Sequence, residues 1–225
     1  LPGQQDRKNY IVFCLLCPHL TKWTSAQKVC CKVLFDAKIK KMTTIVQTGD
    51  KVLRETAKEI PLADIKTAKI KGILSKMTGV LSIAKDGVAL AAPQIGIPFQ
   101  IFIVYKIYTD QKIMEKMTEK EKKMEKKLPP AEFGFDIFIN PKITKISKKK
   151  QTVKEGCLSV TGIFGTIARA EKVTVEAHNE KGEKFTRGAS GLLAQIIQHE
   201  MDHLNGILFT DTATDLEKIE TKTEK

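Results

Sequence analysis

The chain has 225 residues, 42% of them hydrophobic, with 38 basic and 26 acidic residues giving a formal charge of +12. That composition excludes wholesale disorder, and the absence of a run of ~20 apolar residues argues against a membrane-spanning helix. Cysteines at 14, 17, 30, 31 and 157 make an odd and uneven set, which excludes a disulfide framework and fits a reducing compartment.

Residues 1–41 carry seven Lys, one Arg and two Asp. They begin with Leu rather than Met and read as a leader or disordered extension ahead of a domain over 42–211. The apolar run Tyr10–Cys17 lacks a following small-residue cleavage site, and Cys14, Cys17, Cys30 and Cys31 lack regular zinc-ligand spacing. Asp50 can cap a short helix through Lys58. Ile70, Ile73, Leu74, Met77, Leu81 and Ala84 recur three or four apart, predicting an amphipathic helix over 65–84. Residues 99–108 read as a strand. Residues 111–127 hold seven Lys and four Glu in a low-complexity, helix-favouring stretch, expected as an exposed insertion. Strands are expected over 137–140, 143–146, 153–155, 173–177 and 184–187, then a helix over 191–204 and a charged tail over 212–225.

Only four of the 38 basic residues are Arg. Base reading and bidentate phosphate clamps favour Arg, so the charge predicts no specific nucleic-acid recognition. It leaves room for weak attraction to something large and anionic, such as a ribosome.

The strongest chemical signal is His199-Glu200-Met201-Asp202-His203. On a helix, positions i and i+4 share a face, so His199 and His203 can aim at one cation while Glu200 takes a proton from a bound water. The bland alternative is a helix with two structurally satisfied histidines. A third ligand is required for a catalytic site. A metzincin-type continuation fails because Phe209 stands where a His is needed, and little chain follows for a thermolysin-like Glu. Upstream, Glu155-Gly156-Cys157-Leu158-Ser159 offers the Cys157 thiolate, which could also be a small buried hydrophobe. Further upstream, the small residues of 87–96 allow close backbone approach, and Gln94 can aim an amide N–H at an oxygen.

Together, GVALAAPQIG (87–96), EGCLS (155–159) and QHEMDHLNG (198–206) resemble the three signature motifs of the peptide deformylases. The resemblance runs from about Thr43 to Thr210 and includes Arg169. It implies an α+β fold with antiparallel sheets wrapped around a central metal-binding helix. It also implies hydrolysis of the formyl group from the N-terminal formyl-methionine of nascent chains. Cys157, His199 and His203 would hold Fe2+, for which Zn2+, Ni2+ or Co2+ can substitute, with water in the fourth place. Glu200 would be general base and acid, and Gln94 with the Leu158 N–H would face the oxyanion. Val88, Ala89, Gly156 and Ile196 would bind the substrate. The implied setting is a bacterial cytoplasm, or an organelle of bacterial descent, with transient ribosome contact and no membrane.

Two positions depart from the family pattern: Ala89 and Thr161 stand where Gly and Pro are usual. A positive φ at Ala89 would cost about 1–2 kcal/mol, whereas an extended conformation would merely narrow the substrate groove. The rival readings are a metallopeptidase and a non-catalytic relative that binds formylated termini.

Overall fold

The computed structural model describes residues 44–84, 86–110 and 134–218. The expectations for residues 1–41 and for the 111–127 insertion lie outside them, as does the end of the tail. Among the described residues, no helix is long and apolar enough to cross a membrane.

Two helices and eight strands carry the fold. Helix α1 (Ala68–Ile83) starts where the Thr67 side chain accepts from the Ile70 N–H, three residues later than the sequence pattern suggests. Strands β1 (Ala89–Ala91), β2 (Ile101–Tyr105), β3 (Phe135–Ile146), β4 (Lys150–Cys157), β5 (Val160–Ala170), β6 (Lys172–His178) and β7 (Lys184–Ser190) follow. Helix α2 (Gly191–Leu204) and the short β8 (Thr214–Lys218) complete the order. A five-stranded antiparallel sheet runs β1-β2-β3-β6-β7, and a three-stranded one runs β4-β5-β8.

Period-two alternation divides the core. On β2, Ile101, Ile103 and Tyr105 face α1, packing with Ile70, Leu74, Met77, Val80 and Leu81. Phe102 and Val104 face the other way, onto Ala194, Ile196, Ile197 and Leu204 of α2. The five-stranded sheet is thus covered by a helix on each face. Across α2, the second sheet closes the other side: Gln195 Nε2 donates to the Lys154 carbonyl at 3.0 Å, and Arg169 of β5 reaches Asp202. A third cluster of Leu53, Val160, Ile167, Leu208 and Phe209 fills the space beneath that sheet. Helix α2 therefore lies between two antiparallel sheets, the architecture the motifs imply.

Several elements differ from the sequence reading. Asp50 does cap a helix, its side chain accepting from the Val52 N–H, but this is one 3-10 turn over Lys51–Arg54. The strand expected over 99–108 is confined to β2, and Lys106–Thr109 form a single helical turn. The segments 137–140 and 143–146 are one strand, bulged at Asn140 (φ 49°). The Asn140 side chain fixes that bulge by bonding both the N–H and the carbonyl of Ile60, at 2.9 and 2.7 Å. Residues 214–218, read as part of a charged tail, pair with β5 while keeping their side chains exposed.

Candidate metal centre and peptide groove

Strand β4 ends at Cys157, and a two-residue turn of Leu158 and Ser159 returns the chain into β5 at Val160. The turn holds the thiol towards α2. Gly156 beside it leaves room for the Phe164 ring on the paired strand, which a Cβ there would approach to 2.7 Å. His199 and His203, one turn apart on α2, complete a cluster with Cys157 whose ligand atoms all lie within 4.8 Å of one another. Cys157 Sγ and His203 Nε2 approach to 3.2 Å.

The protonation pattern follows from the partners. His199 Nδ1 lies 2.9 Å from Glu155 Oε2. A carboxylate only accepts, so Nδ1 carries the hydrogen and Nε2 is left for a cation. Burial holds the His203 imidazole well below its ordinary range, keeping it neutral. Burial opposes charge on His199 too, but hydrogen bonds to Cys157 and Glu155 and the Glu200 charge outweigh it, pushing it up to about 10. Such a pit favours positive charge, and a proton and a metal cation compete for it. Thiolate and imidazole donors at this spacing fit a divalent transition metal.

Glu200 is buried in the same wall, and its Oε2 has no hydrogen-bond partner among the described residues. Burial pushes its carboxyl up to about 7; His199 opposes the shift, and Glu155 and Asp202 add to it. Gln94 sits in a buried 3-10 turn over Ala92–Ile95. Its Oε1 accepts from the Ala91 N–H at 2.8 Å, which turns Nε2 towards Cys157 Sγ at 3.5 Å and Ser159 Oγ at 3.3 Å. The Ser159 N–H also reaches Cys157 Sγ at 3.4 Å.

The groove side of the site is strand β1. It is an edge of its sheet, paired only with β2 among the described strands. Val88 and Ile196 pack into the cluster between that sheet and α2. Ala89 pairs with Val104 in the ordinary extended region and is 5% exposed. Its methyl group therefore carries no backbone strain. Thr161, an exposed position near the start of β5, donates its hydroxyl to Gln47 Oε1 at 2.8 Å.

What sequence reasoning missed is the role of two residues it had named, Glu155 and Arg169, which lie behind the ligands. Arg169 donates through Nε and Nη2 to both oxygens of Glu155, each at 2.9 Å, and through Nη1 to Asp202 at 2.6 Å. Burial pushes Glu155 up, but the bonds from Arg169 and His199 overcome it and hold the carboxyl at about 2. The available signal was Arg169 itself, a rare Arg in a largely apolar strand.

A family model described as polypeptide deformylase matches residues 42–219. The chain belongs to that family. The deformylase is 38% identical over 168 residues to a peptide deformylase of Clostridium acetobutylicum, covering 74% of this chain and 91% of the relative. It is 38% identical over 178 residues to a chloroplastic peptide deformylase of Solanum lycopersicum, covering 79% of this chain but spanning only 62% of that relative. Among solved structures it resembles a plant peptide deformylase at 33% identity and a TM-score of 0.62, over 77% of this chain and 81% of that one. A Legionella pneumophila peptide deformylase matches at 31% identity and a TM-score of 0.60, over 77% and 86%.

Proposed function

We propose that this enzyme removes the formyl group from the N-terminal formyl-methionine of newly made polypeptides. Cys157, His199 and His203 would hold the divalent cation, Fe2+ as the resident metal, with Zn2+, Ni2+ or Co2+ able to replace it. The observation that carries the reading is the convergence of those three side chains beside a buried, unpartnered Glu200. A cation held there would supply Lewis acidity, making water more acidic and polarising the formyl oxygen.

The chain's own residues divide the rest of the work. Glu200 takes the proton of the attacking water at its free oxygen, and its neutral-range acidity lets it return that proton to the departing nitrogen. The oxygen adds to the formyl carbon, the C–N bond breaks, and formate and a free α-amine leave. Gln94 Nε2 and the Leu158 N–H donate to the developing oxyanion. The peptide adds along the free edge of β1 at Val88 and Ala89, with Gly156 opposite, and the methionine side chain enters beside Ile196.

The metallopeptidase reading loses its need for a downstream ligand, because Cys157 supplies the third donor and Phe209 is a buried core residue. Ala89 is unstrained, so its methyl group bears on the non-catalytic reading only by narrowing the substrate groove. The setting proposed is a bacterial cytoplasm or an organelle of bacterial descent, at the ribosome. Formylated and unformylated Met-Ala-Ser peptides, compared in an anaerobic preparation with metal analysis, test the reading. Formate release from the first alone, with one metal per chain, supports it. Cleavage of peptide bonds in either, or no formate release with metal present, overturns it.

A further inference from the structure

The charge of the described chain is unevenly placed. Residues 141–154 contain six Lys and no acid before Glu155, whereas residues 172–218 contain five basic and eight acidic residues. The lysines sit where β3 passes into β4, the corner joining the two sheets. Ser147 pins that corner: its N–H donates to the Lys172 carbonyl at 2.9 Å, and its hydroxyl donates to the Lys149 carbonyl at 2.8 Å. The Lys172 N–H returns a bond to Ser147 Oγ at 3.1 Å, and the Glu171 N–H bonds the Lys149 carbonyl at 3.0 Å. Lys142, Lys145, Lys148, Lys149, Lys150 and Lys172 are all exposed on this fixed backbone. Lys149 pairs with Glu171 at 2.7 Å, and Lys142 lies in register with Glu176. Lys145, Lys148 and Lys150 form no ion pair among the described residues.

We infer that this corner is a docking surface for the phosphate backbone of structured RNA. Lysines are hydrated point charges, suited to phosphates without reading bases. Ile146 is the large exposed apolar side chain among them, far short of the broad apolar face that lipid insertion needs. RNA is favoured over a lipid surface for that reason, and because the proposed substrate emerges from an RNA-rich particle; in this the inference rests on the function proposed above. The corner is also coupled to the site by covalent geometry. Strand β4 runs from Lys150 to Cys157, eight residues whose ends lie about 23 Å apart, so docking at one end fixes the direction in which the groove faces.

The test uses the full chain and two triple variants that lose equal charge. One is Lys145→Gln/Lys148→Gln/Lys150→Gln; the other is Lys51→Gln/Lys66→Gln/Lys71→Gln, three exposed lysines elsewhere. Binding to a fluorescein-labelled RNA stem-loop and to bacterial ribosomes is followed between about 50 and 200 mM salt. The corner variant is expected to bind about tenfold more weakly at the lower salt, with the salt slope reduced by about 2. The distant variant should change binding less than twofold. Equal losses in both, or no loss in the corner variant, would overturn the inference, as would a loss confined to anionic phosphatidylserine vesicles. Turnover of a short formylated peptide by the corner variant separates the two readings. If it persists while RNA binding falls, the surface is assigned; if wild-type chain binds RNA without deformylating the peptide, only the function fails.

Discussion

Two arginines in this molecule make the same kind of contact in different surroundings. Arg169 grips both oxygens of Glu155 and also Asp202, with side chains 8%, 3% and 25% exposed. Arg54 grips both oxygens of Asp211, with side chains 48% and 34% exposed. Each ties separate elements together, β4 to β5 and α2 in the first case, the turn over Lys51–Arg54 to the one over Phe209–Asp211 in the second. At Asp211 water can replace a lost partner. At Glu155 it cannot, and the carboxylate also holds a metal-ligand histidine. Burial turns a surface fastening into part of the chemistry.

Removing one partner from each pair sharpens that contrast. Arg169→Met leaves the buried Glu155 and the partly buried Asp202 without their cation and should cost about 3–5 kcal/mol in denaturant unfolding. If it costs no more than a surface substitution, the network is not closed to water and the contrast fails. Glu155→Gln keeps the shape but weakens the acceptor for His199 Nδ1. Metal affinity, read by chelator competition, should fall about 10–100-fold. An unchanged affinity would show that His199 is oriented by packing alone.

Acid offers a milder probe. Glu155 is ionised down to about 2 in the fold, against an ordinary value of 4.5, so its contribution is complete above 4.5 and lost as the pH falls towards 2. The stability gap between wild type and Arg169→Met, both with metal chelated, should therefore narrow across that window. A gap that widens would contradict the assignment. The smallest effect is expected at the surface: Arg54→Gln should change stability by less than about 1 kcal/mol, the loss shrinking at high salt.

The parts of the site that were legible in the sequence are those set by local geometry. His199 and His203 are held on one face by helical spacing alone, and the short motifs around Gln94 and Cys157 keep their meaning wherever the chain places them. What the sequence concealed depends on contacts between distant segments. Strand β5 hides its alternation behind Gly162 and Gly165, and a Cβ at Gly165 would press on the exposed Leu216 side chain of β8 and lie 3.0 Å from Ala213 Cβ. Asn140-Pro141 looks like a strand end, yet the grip of Asn140 on Ile60 carries β3 through it. Residues 106–109 are apolar enough for a strand but turn helical after β2. Arg169 was visible as a residue and invisible as a hub, because its partners come from β4 and α2.

The central claim is that one cation and one neighbouring carboxylate divide the labour in the cluster on α2. The most direct measurement is metal content beside formate release in anaerobically prepared Cys157→Ala and Glu200→Gln chains. Cys157→Ala should lose both metal and turnover. Glu200→Gln should keep one metal per chain while turnover falls by about 10²–10⁴. Full metal and activity in Cys157→Ala, or undiminished turnover in Glu200→Gln, would contradict the account.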